Sequence, residues 1–337
     1  MAQARKVVVS AVDYHTAGEP FRIVTSGAAP LLGKTILDKR RYAAANLDHI
    51  RKLLVFEPRG HADMYGCFVT QPEDDGADIG VVFFHNEGYS TACGHGTIAL
   101  VTWAIESGVV PAEQGETHVI VDVPSGRLPT VAKVENGNVT KVKFRNVPSF
   151  VLQREVAVTT SAGEMTADVA FGGAFYASVD ARALGLTVEP QNLDRLIALG
   201  REIKHAIEGA HKVVHPLEPE LRDVYGVIFF EHLADGEPLH QRNVTIFADG
   251  EVDRSPCGSG TSARLAVLDA RSELPRGKKL RHGSIVGTEF VGSVIGEARV
   301  ADIAGVITEV EGSAQLAGYH QFVLEPDDPL PEGFILR

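Results

Sequence analysis

The sequence predicts an α/β (α+β) protein built from two pseudo-symmetric domains, and three observations carry that prediction. Short runs rich in β-branched and aromatic residues alternate with segments of helical periodicity. The phrase "TACGHGT" at 91–97 recurs as "SPCGSGT" at 255–261, so that Cys-Gly-x-Gly-Thr appears twice. Its two cysteines lie 164 residues apart, close to half of the 337-residue chain. That is the spacing expected of a duplicated unit with one thiol per half.

Taken in order, "KVVVSAVDYH", "FRIVTSG" and "IGVVFFHNEG" read as strands bounded by Gly, Pro or Asn, with one helix at about 40–54 between them. After Cys93, Ile98, Val101 and Ile105 fall three and four apart and stop at Gly108, so the first phrase opens a helix. "HVIVDVPSG" follows as a strand, and "TVAKVE" and "VTKVKF" pair around an Asn136-Gly137 turn. "NVPSF" at 146–150 is the passage into the second half. There, "ADVAFGGAFYASV" reads as a strand, and Leu193, Leu196, Ile197, Ile203 and Ile207 share one face of a helix at about 190–208. "VYGVIFFEH" and "RNVTIFAD" are strands. Leu265 and Leu268 mark a helix that starts at the second phrase and ends before Pro275. No low-complexity segment separates the halves, so the cleft between them is the natural ligand site.

Composition narrows the function. The chain is 44% hydrophobic with a formal net charge of −12 and no clustered Lys or Arg, which excludes a nucleic-acid footprint. No run approaches the length of a membrane span. The N-terminal stretch is broken by Ser10, Asp13 and His15, and reads as a first strand rather than a signal peptide. Three cysteines, Cys67, Cys93 and Cys257, with no framework spacing, imply reduced thiols in a cytoplasmic setting. The expected partner is a small molecule, with no nucleic acid and no membrane; a homodimer is left open.

A helix N-terminus offers unpaired N–H groups and positive potential, which attract anions and lower a thiol pKa. Two such ends facing each other would hold a carboxylate between two thiols, with glycines letting the ligand approach the backbone. The chemistry that follows is proton transfer at a carbon next to a carboxylate, without cofactor or metal: one thiolate takes the proton from one face and the other thiol serves the opposite face. Cys67 reads as a small buried hydrophobe. Other readings of the phrases are weaker: a Cys93–His95 hydrolase leaves the second thiol unexplained, "CGHG" is not a zinc spacing, and neither phrase has the Lys-Ser/Thr ending of a P-loop.

These residues resemble the proline racemase superfamily over essentially the whole chain. The resemblance is carried by "FEPRGHADMYG" (56–66), "HNEGYSTACGHGTIAL" (85–100), "NVPSF" (146–150), "DVAFGGAFYA" (168–177) and "DRSPCGSGTSARLA" (253–266). It implies two diaminopimelate epimerase-like domains, each a curved sheet around a central helix, with the active site in the cleft. The C-terminal segment returns to the first domain, giving 1–148 with about 316–337 as one unit and 149–315 as the other. It also implies that Cys93 and Cys257 are catalytic. Gly94, His95, Gly258 and Ser259 would hold the substrate carboxylate, Asp253 would lie near the ring nitrogen, and Phe247 would wall the pocket. Plainer alternatives stand beside three of these: His95 as a helix-start residue, Asp253 as the cap of a turn before Pro256, and Phe247 as core packing.

"HNEGYST", Tyr65 and the overall texture resemble the trans-3-hydroxy-L-proline dehydratases, which typically carry Thr where this chain has Cys257. Two cysteines are the pattern of racemases and epimerases. The implied activity is dehydration of trans-3-hydroxy-L-proline with 2-epimerase capability; the alternatives are a proline racemase, a 4-hydroxyproline 2-epimerase, or a non-catalytic binding protein for proline analogues. Tyr65 or His85 would bind the ring hydroxyl, unless each is an ordinary wall residue.

Overall fold

The computed structural model describes residues 6–234 and 238–336. The first half contributes strands β1 (Val7–Thr16), β2 (Glu19–Ser26), β3 (Tyr65–Thr70), β4 (Ile79–His85), β5 (Gly115–Val123), β6 (Gly126–Glu135) and β7 (Asn138–Arg145), with helices α1 (Ile36–Asn46), α2 (Asp48–Val55) and α3 (Gly94–Glu106). The second contributes β8 (Ser149–Thr160), β9 (Gly163–Phe171), β10 (Phe175–Asp180), α4 (Leu193–Ala210), β11 (Val224–Ala234), β12 (Leu239–Phe247), β13 (Glu251–Asp253), α5 (Gly258–Ala270), β14 (Lys279–Ser284), β15 (Glu289–Val300) and β16 (Ile303–Gly312). β17 (Ala314–Leu324) closes the chain and pairs antiparallel with β1.

The duplication is visible in the pairing. From β17 through β1 to β7 the neighbours run antiparallel, antiparallel, parallel, antiparallel, parallel, antiparallel, antiparallel. From β8 through β9, β10, β11, β12, β14 and β15 to β16 the same order recurs. β3 thus corresponds to β11, and α3, after β4, corresponds to α5, after β12. β16 pairs with both β7 and β8, so one strand carries the hydrogen bonding across the "NVPSF" passage.

Each half wraps its sheet around one helix. α3 is buried from Gly94 to Ile105, and α5 from Gly258 to Leu268. α3 carries no Asp, Glu, Lys or Arg before Glu106, and such a helix is stable inside a core, where Ile98, Leu100 and Val101, each 0% exposed, contribute roughly 1.5–3 kcal/mol apiece. Gly108 ends α3 in the left-handed region (φ 76°), as its position predicts. No helix among the described residues is long and apolar enough to cross a membrane.

The structure differs from the sequence reading at two places. The single helix expected at 40–54 is two, α1 starting earlier at a Thr35–Asp38 capping box and α2 beginning after Leu47, whose backbone leaves the helical region. The single strand expected over "ADVAFGGAFYASV" is the hairpin β9–β10, because Gly173 turns the chain at φ 98°.

Candidate active site

Each thiol occupies the residue before a buried helix. Cys93 caps α3 from an extended backbone, and its Sγ accepts the Gly96 N–H at 3.2 Å. Cys257 caps α5 from the left-handed region, at φ 61°. That conformation costs a non-glycine residue about 1–2 kcal/mol, and a local ladder holds it. The Cys257 N–H donates to Ser255 Oγ at 3.0 Å, and the Ser255 N–H donates to Asp253 Oδ1 at 2.8 Å.

The two helix starts meet head to head. A Cβ on Gly94 would lie 2.5 Å from Gly258 Cα, and one on Gly258 would lie 2.7 Å from Gly94 Cα. The second glycine of each phrase makes room for sulfur: a Cβ on Gly96 would lie 2.7 Å from Cys93 Sγ, and one on Gly260 would lie 2.8 Å from Cys257 Sγ. The repeated Cys-Gly-x-Gly is therefore a packing requirement in both copies. Two positive helix ends at this distance repel each other, and an anion between them relieves the repulsion.

His95 lies beside Cys93, with its ring nitrogens 3.6 and 3.5 Å from Sγ, and faces Asp253 Oδ2 at 3.9 Å. Burial lowers the His95 pKa to about 4 against the opposing pull of Asp253, so the imidazole is neutral at pH 7. Asp253 caps the turn before Pro256 with one oxygen, as its plainer reading expects, and faces His95 with the other. On the other side, the Ser259 hydroxyl bonds the Tyr176 hydroxyl at 2.7 Å, and Cys257 Sγ reaches that same hydroxyl at 3.8 Å.

The thiols themselves depart from the sequence expectation. Burial raises Cys93 and Cys257 above the usual range, and Asp253 adds repulsion to both. The Gly96 N–H pulls Cys93 the other way without overcoming the loss of solvent. A helix end lowers a thiol pKa where water still reaches it; here both residues are about 95% buried. Cys67 is likewise free and fully buried, within the main hydrophobic core.

Tyr65 stands edge-on to His95, with centroids 5.0 Å apart, and donates to Ser90 Oγ. Phe247 stacks on Tyr225 at 5.5 Å and stands 5.8 Å from Tyr65. His85 sits further out: its Nδ1 is 2.9 Å from Glu251 Oε2, and its ring is 5.3 Å from Tyr65. A cavity of about 720 Å³ opens here, lined in part by His85, Ser90, Thr91 and Tyr225. A pair between half-buried Arg254 and buried Glu19 ties the loop before Cys257 to the β1–β2 turn through contacts of 2.7 Å and 3.0 Å.

Sequence reasoning missed Tyr176, Tyr225 and Ser90. A signal for Tyr225 was available: Asp-x-Tyr-Gly occurs at 63–66 and again at 223–226, at nearly the spacing of the cysteines.

Buried histidines support the second helix start as well. His282 bonds Thr261, whose hydroxyl donates to Pro256 O at 3.2 Å, and burial lowers the His282 pKa to about 3. Between the ordinary histidine pKa and these depressed values the unfolded chain binds more protons than the fold, so stability falls as pH drops from about 6.5 toward 4. For His95 alone the loss is about 3 kcal/mol. Urea midpoints measured across this range should decline with acidification, and His282→Asn should flatten the slope; an unchanged slope rules out His282 as its source.

From residue 11 to 335 the chain matches the family model described as proline racemase. It is 46% identical to a trans-3-hydroxy-L-proline dehydratase of Bacillus thuringiensis subsp. konkukian, over 98% of each chain. It is 47% identical to a 3-hydroxyproline 2-epimerase of Burkholderia multivorans, again over 98% of each. The crystal structure of a hydroxyproline epimerase from Agrobacterium vitis, with bound trans-4-hydroxy-L-proline, aligns with a TM-score of 0.91 at 34% identity, covering 98% of this chain and 96% of that one. By sequence over its whole length and by fold, the chain belongs to the proline racemase family.

Proposed function

We propose that this protein is an enzyme that abstracts the α-proton of a proline-type amino acid with a cysteine. Its main reaction is dehydration of trans-3-hydroxy-L-proline to Δ1-pyrroline-2-carboxylate, with 2-epimerase capability. The observation that carries this reading is the pair of opposed helix starts, each ending in a thiol. In this reading the units 1–148 with about 316–337, and 149–315, each deliver one thiol to the cleft. Free thiols at all three cysteines support a cytoplasmic setting.

The substrate carboxylate lies on the N–H groups around Gly94, His95, Gly258 and Ser259, which also receive the charge that develops as the α-carbon loses its proton. The ring nitrogen lies by Asp253. Its positive charge cancels the carboxylate that otherwise repels a thiolate, so substrate binding itself favours ionisation of the base.

In trans-3-hydroxy-L-proline the α-hydrogen and the hydroxyl share a ring face. Cys93 takes the α-proton from that face. The C3–O bond then breaks as the carbanion pair forms the ring double bond, and the Cys93 proton leaves with the hydroxyl as water. The resulting enamine tautomerises to Δ1-pyrroline-2-carboxylate. Cys257 serves the opposite face and can return a proton to the same carbanion, giving the 2-epimer. Phe247 walls the ring, and Tyr65 and His85 lie on the side of its substituents.

The second cysteine favours one other reading, in which inversion of proline or 4-hydroxyproline is the main reaction. Incubation in D2O with L-proline, trans-4-hydroxy-L-proline and trans-3-hydroxy-L-proline, followed by NMR, separates the two. Loss of the hydroxyl from the 3-hydroxy substrate is the expected result; exchange and inversion without elimination would overturn the dehydratase reading in favour of the epimerase.

A further inference from the structure

Tyr65 and Tyr225 are copies of one residue. Each follows an aspartate in the left-handed region, Asp63 at φ 63° and Asp223 at φ 65°, and each precedes a glycine on equivalent strands β3 and β11. The chain that duplicated a thiol also duplicated a phenol, and the two hydroxyls meet across the halves at 2.9 Å.

Their hydrogen bonds have a direction. Tyr65 donates to Ser90 Oγ, and Ser90 donates to Ala92 O at 3.3 Å. With the Tyr65 proton committed to Ser90, Tyr225 is the donor to Tyr65. The relay therefore runs from Tyr225 to Tyr65 to Ser90 and ends on the backbone just before Cys93. Tyr225 is its first member, and its oxygen keeps acceptor capacity for an incoming O–H.

The position suits a ring substituent. Tyr65 packs against His95, which touches Cys93 Sγ; Tyr225 packs against Tyr176 at 5.7 Å, which touches Cys257 Sγ; and the 720 Å³ cavity reaches Tyr225 from outside. A substrate hydroxyl here has an acceptor in Tyr225, and the phenol bridge fixes where that acceptor points.

We infer that Tyr225, oriented by its hydroxyl bridge to Tyr65, is the residue that reads the ring hydroxyl of the substrate. This rests on the reading of the site as a proline-type proton-transfer centre. By accepting a hydrogen bond from the hydroxyl, Tyr225 turns the oxygen lone pairs toward Cys93, the group that protonates the departing hydroxyl. Hydroxylated rings are thereby preferred over unsubstituted ones, and elimination over simple return of the proton.

The test compares wild type with Tyr225→Phe and Tyr65→Phe, measuring kcat/KM for loss of the α-proton signal in D2O from trans-3-hydroxy-L-proline and from L-proline. This readout counts exchange, inversion and elimination together. Tyr225→Phe should cut the preference for the hydroxylated ring at least tenfold, and Tyr65→Phe should cut it less, because Tyr225 keeps its own acceptor oxygen. A preference unchanged in Tyr225→Phe, or equal losses on both substrates, would overturn the inference and leave Tyr225 a packing residue. Wild type that cleaves the α-C–H bond without losing water would sink the dehydratase reading alone, since the preference ratio still judges Tyr225. Failure to cleave it in either ring would overturn both.

Discussion

Cys93→Ala should abolish loss of the α-proton from every L-configured proline-type substrate, lowering kcat on the order of 10³-fold or more. In the proposed mechanism removing the thiol removes the base of the first step, and neither exchange, inversion by that face nor dehydration can begin without it. His95 does not substitute: it is neutral and adjacent, but its burial holds the pKa to about 4, too weak a base for a carbon acid. Cys257 does not substitute either, because in the proposed mechanism it serves the face opposite the α-hydrogen of the L-substrate. The variant also loses the sulfur that accepts the Gly96 N–H, an N-cap worth about 1 kcal/mol. A melting temperature lowered by a few degrees with activity gone is the expected pair of measurements. Full dehydration by Cys93→Ala would show that another group takes the proton.

Much of this site was legible in the sequence because its demands are local. Glycine three residues after each cysteine clears the sulfur, and glycine directly after it clears the opposing helix, so the same four-residue pattern had to appear in both halves. The first central helix was legible for a related reason: a run without charge from Gly94 to Ile105 belongs in a core. What depends on distant pairing was not. Among the closing strands, β14 on β12, β16 on β7 and β8, and β17 on β1 take their places from distant partners, and they carry no distinctive phrase. The Tyr65–Tyr225 bridge joins residues whose shared motif is a short Asp-x-Tyr-Gly, visible in the sequence at both places, but that the two hydroxyls meet depends on how β3 and β11 face each other across the halves. The thiol pKa went the other way from expectation because burial, a property of the whole cleft, outweighs one helix end.

Cys257→Thr should separate the two reactions, lowering inversion on the order of 10³-fold while dehydration stays within about tenfold of wild type. In the proposed mechanism dehydration needs a base and an acid on a single face, and Cys93 supplies both in turn. Inversion needs a proton donor on the other face. A threonine hydroxyl, with a pKa far above that of a thiol, cannot exchange a proton with a carbanion at a comparable rate, but it fills the space and bonds the neighbouring Tyr176 hydroxyl much as sulfur does. The backbone adds a control. Cys257 sits at φ 61°, where a β-branched side chain is more strained than cysteine, so the threonine variant should melt lower than wild type. Cys257→Ser carries the same hydroxyl without the branch. If both variants lose inversion alike while only the threonine form loses stability, the chemical and conformational effects are separated. Were dehydration to vanish with inversion in the serine form as well, elimination would require both thiols, and the second copy of the phrase would be part of the main reaction rather than the branch that returns the proton.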